Sequence, residues 1–256
     1  NLLGLVASNL KLQPSTYLYE VGKGYLPEEP HGKFAEPREV HEAALVLAKA
    51  GTASTEVADF ASSCLFELKG VVEDLLFATE SARPGRGGLA GVVWASPDED
   101  MELAPYAHPG RCMVARAADA KGKATGPVLA FVSAIEPGVG AALGLTGDSA
   151  AEVAFACVSI DDLIAANDKP ILHRPIPRFP GVKVDVAFAL AEATTAAEAE
   201  LIIQQSGKGL VADIELFDLY QGDKVGAGQK SMAWHVLLQS DTKTLGDKDL
   251  HKFLKR

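Results

Sequence analysis

Cysteine is scarce in this chain: Cys64, Cys112 and Cys157 stand far apart, each in apolar surroundings. The odd number and the lack of any C-x-x-C pair exclude a disulfide framework and argue against a metal or redox centre. Reduced, buried thiols and a cytoplasmic location are expected. Long apolar runs are missing as well. None approaches the roughly 20 residues needed to cross a bilayer, and no signal-peptide pattern is present, so no membrane is expected. Nor is there an excess of positive charge. The formal net charge is −10, and it is unevenly spread: residues 1–169 carry 13 Lys and Arg against 23 Asp and Glu, whereas residues 170–256 carry 11 of each. An acidic chain is a poor general binder of nucleic acid. Any RNA contact is therefore expected in the neutral C-terminal part, where it would depend on specific groups.

Catalytic signatures are equally thin. There is no G-x-S-x-G nucleophile motif, and no His pair at i, i+4 to suggest zinc. Gly138 to Gly144, GVGAALG, lacks the lysine of a phosphate loop and reads as a loop and helix end. His108, in AHPGR, reads as a turn residue rather than a base, and Asp98-Glu99-Asp100 as solvated loop. No catalytic and no metal-ligating residue is assigned.

What is present is a globular chain of 256 residues, 48% apolar and 23% charged, long enough for two domains. It begins at Asn1 without methionine and is read as a piece of something longer. Apolar spacing predicts a helix over 2–12, strands over 17–25 and 41–50, and a Pro/Glu/Gly-rich loop between them at 27–37. The longest helical pattern runs over 54–79, with Phe60, Cys64, Leu65, Leu68, Val71, Val72, Leu75 and Leu76 on one side, followed by a loop at RPGRGG (83–88). Core packing is the default for that broad side, and a subunit interface the sharper alternative. Strands are expected at 89–94, 112–118, 128–134 and 153–158, and short helices at 137–143 and 160–166, the latter capped by Ser159. Residues 169–181, with four prolines, cannot form a helix or a central strand and are taken as a linker. It separates a domain at 1–168 from one at 182–256. After it the order is strand (183–191), helix (195–206), strand (210–220), strand (229–239) and helix from Asp247. That β-α-β-β-α order lacks one strand of a ferredoxin-like split βαβ unit. The fold class is α+β.

Alternation along these last strands puts Val184, Val186, Phe188 and Leu190 on one face and Asp185, Ala187 and Ala189 on the other. Met232, Trp234, Val236 and Leu238 oppose Ser231, Ala233 and His235. Leu216, Asp218 and Tyr220 are expected to share a face, with Phe217 and Leu219 on the reverse. The apolar faces call for helices. The remaining faces form an open surface of small residues with one ring, one carboxylate and one hydroxyl, the composition of a platform for a flat base.

The stretches RPIPRFPGVKVDVAF, LFDLYQG, GQKSMAW and KTLGDKDL, from Arg174 to Leu250, resemble the ferredoxin-fold anticodon-binding domain that ends the β subunit of bacterial-type phenylalanyl-tRNA synthetases. LLGLVASN, YLYEVGKGYLP, FELKGVVEDLL, AHPGR and AIEPGVGAALGL are similar, in the same order, to the catalytic-like core domain before it, although Glu136 stands where the family usually has histidine. The resemblance implies a class II synthetase-like antiparallel core without catalytic motifs. In agreement, Tyr19-Glu20 stands where an active site has its ATP-gripping arginine. It also implies that ATP and Mg²⁺ are used by the whole enzyme and not bound by this chain. The implied partners are tRNA-Phe and an α subunit, in a heterotetramer of paired αβ units. The family's anticodon contacts fall on Asp218, Tyr220, Ser231 and Ala187. Lys230, Lys224 and Arg178 are candidates for phosphate contacts. Two rival readings stay open: a ferredoxin-like small-molecule regulatory module, and a stand-alone degenerate paralogue acting as an RNA-binding or structural module.

Overall fold

The structure, a computed structural model, describes residues 2–32, 36–51, 63–78, 92–118, 123–166, 176–222 and 225–255. They fall into two compact units. In the N-terminal unit, β1 (Ser15–His31), β2 (Glu36–Ala50), β3 (Val92–Ala95), β4 (Ala107–Ala118), β5 (Ala124–Ile135) and β6 (Ala151–Ser159) build one sheet in the order β1-β2-β6-β5-β4-β3. Every neighbouring pair is antiparallel. A helical turn at Leu2–Leu5 precedes α1 (Val6–Leu10), and α2 (Cys64–Ala78), α3 (Pro137–Ala142) and α4 (Ile160–Ala166) complete the unit.

The sheet is covered on both sides, which explains why β2 and β6 read as continuous apolar runs rather than alternating ones. Ala43 and Leu47 of β2 and Ala154, Ala156 and Val158 of β6 pack with Cys64, Leu68, Val72 and Leu76 of α2 and Leu163 of α4. Val46, Ala48, Val153 and Phe155 point the other way, onto Val6 and Leu145. Ser159 caps α4 by accepting from the Asp162 backbone N–H at 3.3 Å. Glu136 does the same for α3, accepting from the Val139 N–H at 3.0 Å.

The expected loop at 27–37 is overturned. β1 and β2 extend through much of it and remain paired at Pro30↔Pro37 and His31↔Glu36. Pro27 and Pro30 are tolerated because β1 pairs on one side only, so a proline there need not remove a ladder hydrogen bond. The first part of the long helical pattern, with Phe60, and the RPGRGG loop lie outside the described residues. Residues 169–175 of the linker do too.

The C-terminal unit contains β7 (Val182–Ala191), α5 (Ala196–Ser206), β8 (Val211–Tyr220), β9 (Gln229–Leu238) and α6 (Asp247–Leu254). Its described residues form a three-stranded antiparallel sheet in the order β7-β9-β8. α5 starts from a complete capping box. The Thr195 hydroxyl accepts from the Glu198 N–H at 3.2 Å, and Glu198 accepts from the Thr195 N–H at 2.7 Å. Those bonds, the backbone one foremost, hold the Glu198 carboxyl below its ordinary range. α5 gives way to β8 through a tight turn. A Cβ on Gly207 would lie 2.3 Å from Val211 Cγ2, so only glycine permits that approach.

On the helix side of this sheet Trp234, fully buried, lies among Ala199 and Ile203 of α5, Phe253 of α6, Met232, Val236 and Leu238. Its indole N–H donates to Glu200 at 3.2 Å. Removing the α5 cap isolates one small term. Thr195→Ala is expected to cost about 1 kcal/mol, lowering the melting temperature of a unit this size by about 4–8 °C. Calorimetry on the full chain measures it, and an unchanged transition would mean that the cap contributes nothing.

A candidate nucleic-acid interface

Residues directly opposite each other in an antiparallel ladder share a face, so the register lays out the surface of the C-terminal sheet away from the helices. Tyr220 pairs with Ser231, and Ser231 with Ala189. Asp218 pairs with Ala233, which pairs with Ala187. Further along come Glu215, His235 and Asp185, then Asp213, Leu237 and Lys183. The four residues assigned to the anticodon contacts thus lie on one face, in two neighbouring rows.

The expected placement of Leu216 and Phe217 is reversed. The β8–β9 register shifts between Leu216, opposite Trp234, and Asp218, opposite Ala233. Phe217 is the extra residue of a β-bulge, which resets the alternation. Leu216 therefore belongs to the helix side with Trp234. Phe217 lies on the open side, its ring stacked on His235 with centroids 4.0 Å apart and planes 15° from parallel. The sequence carried a signal for this: the inward apolar positions of β8 are Ile214, Leu216 and Leu219, and the step of three marks the inserted residue.

The open face divides into two halves of different chemistry. In the half nearer the charged end, the groups already satisfy one another. Asp185 takes a hydrogen bond from His235 Nδ1 at 2.6 Å, and Lys183 lies 3.8 Å from Glu215. In the other half, among the described residues, the Asp218 carboxylate and the Tyr220 and Ser231 hydroxyls have no side-chain partner. They are set around Ala187, Ala189 and Ala233, which add no bulk. Tyr220 is 36% exposed, and its phenol lies over the turn after β8. A Cβ on Gly222 would come within 2.7 Å of the Tyr220 hydroxyl. Beyond that turn is an open hollow of about 450 Å³ lined by Glu192, Gln221, Gly226 and Gln229.

The candidate phosphate contacts are scattered. Lys230 is opposite Leu190, on the helix side of the sheet, where its charge acts on Glu198. Arg178 is exposed in the segment before β7. Its neighbour Phe179 is tied through its carbonyl to Gln239 at 2.9 Å, at the end of β9 remote from Ser231. Lys224 lies outside the described residues. Elsewhere, burial pushes the Cys64 thiol up to about 12 and the Cys157 thiol to about 11, values that leave both protonated and unreactive at neutral pH. Among the described residues no group of three His, Cys, Asp or Glu side chains is arranged to hold a metal ion, and no helix is long and apolar enough to cross a membrane.

A three-stranded antiparallel sheet with helices on one face and mostly small residues on the other has the architecture of an open-faced ferredoxin-like unit. Accordingly, residues 177–256 match the family model described as a ferredoxin-fold anticodon binding domain. Residues 1–155 match the phenylalanyl tRNA synthetase beta chain CLM domain, and the chain belongs to that beta-chain family. It is 31% identical over 235 residues to the phenylalanine–tRNA ligase beta subunit of Geobacillus kaustophilus, covering 91% of this chain and 26% of the relative. The beta subunit of Symbiobacterium thermophilum is 33% identical over 238 residues, 91% of this chain and 23% of the relative. That of Bacillus licheniformis is 28% identical over 255 residues, 98% of this chain and 28% of the relative. The chain thus spans about a quarter of the length of these relatives.

Proposed function

We propose that this chain works within phenylalanine–tRNA ligase as part of the β subunit, where it binds the anticodon of tRNA-Phe and carries no catalytic group. The observation behind this reading is the set of unengaged groups, Asp218, Tyr220 and Ser231, gathered with Ala187 on one small-residue face. The phenol ring stacks on the first anticodon base, guanine. The carboxylate accepts from its N1–H and N2 amine, and Ala187 leaves room for the purine. The N-terminal unit, an antiparallel sheet of the class II synthetase type, serves as scaffold. Its edge strand β1 leaves Tyr19 78%, Val21 63% and Tyr25 59% exposed along one face, a surface suited to a protein partner. The α subunit is that partner, in a heterotetramer of αβ pairs. ATP and Mg²⁺ act in the α subunit's site, and the assembly is cytoplasmic.

The test is the affinity of the assembled enzyme for tRNA-Phe transcripts that differ only in the first anticodon base, at fixed salt. Guanine is expected to bind at least about fivefold better than adenine, the lower end of what one two-point base contact provides. Equal affinity for the two would overturn the reading.

A further inference from the structure

The bulge at Phe217 places a second aromatic ring on the open face, next in the chain to Asp218 and outside the set of residues assigned above. It is 48% exposed, and it does not lie loose. One side of the ring rests on the His235 imidazole, almost parallel to it. The imidazole is in turn fixed by its 2.6 Å bond to Asp185. A large apolar ring kept flat and half in water, backed by an anchored second ring, is pre-organised to receive something planar. Its neighbours on the face bear on what that is. Asp185, Glu215 and Asp213 outnumber Lys183 and His235 in the same half of the sheet. That half is therefore hostile to a phosphate and open to the uncharged face of a base.

We propose that Phe217 is a second stacking position of the platform, which takes a base flanking the one held by Tyr220 and Asp218, with His235 and Asp185 as positioning residues. This rests on the anticodon-binding reading above. Tyr220 is opposite Ser231 and the Phe217 ring rests on His235, four residues further along β9, a span of about 13 Å, about four times the 3.4 Å rise of a stacked strand. The two bases are therefore splayed apart, as on other flat sheets that stack two or three bases of a single strand. The bulge is what makes this possible: without it Phe217 and its neighbour Asp218 would lie on opposite faces of the sheet.

The test uses the assembled enzyme and phenylalanine anticodon stem-loop RNAs, either complete or with an abasic nucleotide on one side or the other of the first anticodon base. Phe217→Leu keeps apolar bulk and removes the flat face. It is expected to weaken the complete RNA about tenfold, within the range measured for base–aromatic stacks, while Phe217→Tyr binds like the native protein. With the abasic nucleotide on one side, the loss caused by Phe217→Leu is expected to vanish. If Asp218→Asn weakens binding and Phe217→Leu does not, the second position is wrong and the anticodon reading stands. If the Phe217→Leu loss persists with either abasic RNA, the ring acts through the sheet and stacks on no base, which also overturns the proposal. If neither substitution matters, both the second position and the anticodon reading fall.

Discussion

Trp234→Ala is expected to unfold the C-terminal unit and leave the N-terminal unit folded. Trp234 sits on the central strand, fully buried, opposite Val186 on one side and Leu216 on the other. Removing so large a core side chain typically costs about 3–5 kcal/mol. A unit of this size has a total stability of only about 4–11 kcal/mol, at the usual figure per residue. The substitution consumes much or all of it, and the Glu200 bond to the indole is lost as well. The N-terminal unit has its own two clusters of buried side chains, none of them from the C-terminal sheet. Amide hydrogen exchange separates the outcomes. Protection should collapse across β7, β8 and β9 while β2, β5 and β6 keep theirs. Trp234→Phe, which leaves a ring in place, should retain most of the protection. If Trp234→Ala left β9 as protected as in the native chain, the indole would not be what joins the helices to the sheet.

The same strand shows what a sequence can disclose. β7 and β9 pair without a break from Val182↔Leu238 to Ala191↔Gln229, so strict alternation sorts every side chain to its face. β8 breaks register twice, between Val211 and Asp213 and between Leu216 and Asp218, and was legible only beyond the second break. Its bulge depends on pairing with a strand that comes later in the chain, and a period-two reading carried across it misplaces Leu216 and Phe217. The proline-bearing end of β1 was misread for a related reason. Proline is excluded from central strands but not from edges, and which strand lies at an edge is a property of the whole sheet. Lys230 adds a third case. Next to Ser231 in sequence, it is on the opposite side of the sheet, because adjacent residues of an unbroken ladder alternate. Any contact of Lys230 with a phosphate is therefore made from the side of the sheet away from Asp218 and Tyr220. The small-residue face was the most legible feature, since it needs only alternation in three strands and the absence of bulk.

Asp218 and Tyr220 share that face but should fail differently when altered. Tyr220→Ala removes a stacking surface worth about 1–3 kcal/mol, with a similar loss whichever base stands over it. Tyr220→Phe keeps the ring and should be mild. Asp218→Asn keeps the size of the side chain and replaces one acceptor with a donor. That donor meets a donor on guanine, leaving both unsatisfied, at a cost of about 1–3 kcal/mol. The Asp218 carboxylate has no partner of its own among the described residues, so the substitution disturbs no internal bond that would complicate the comparison. Inosine distinguishes the two mechanisms. It lacks the N2 amine of guanine and has already lost one of the two bonds to the carboxylate. The penalty for Asp218→Asn should therefore shrink on an inosine transcript, while that for Tyr220→Ala stays the same. Binding must be measured on the assembled enzyme at one salt concentration, because phosphate contacts dominate total affinity and shift with ionic strength. If Asp218→Asn weakened guanine and inosine transcripts equally, the carboxylate would be holding the sheet edge in shape, and the reading of the first base would have to come from some other group on this face.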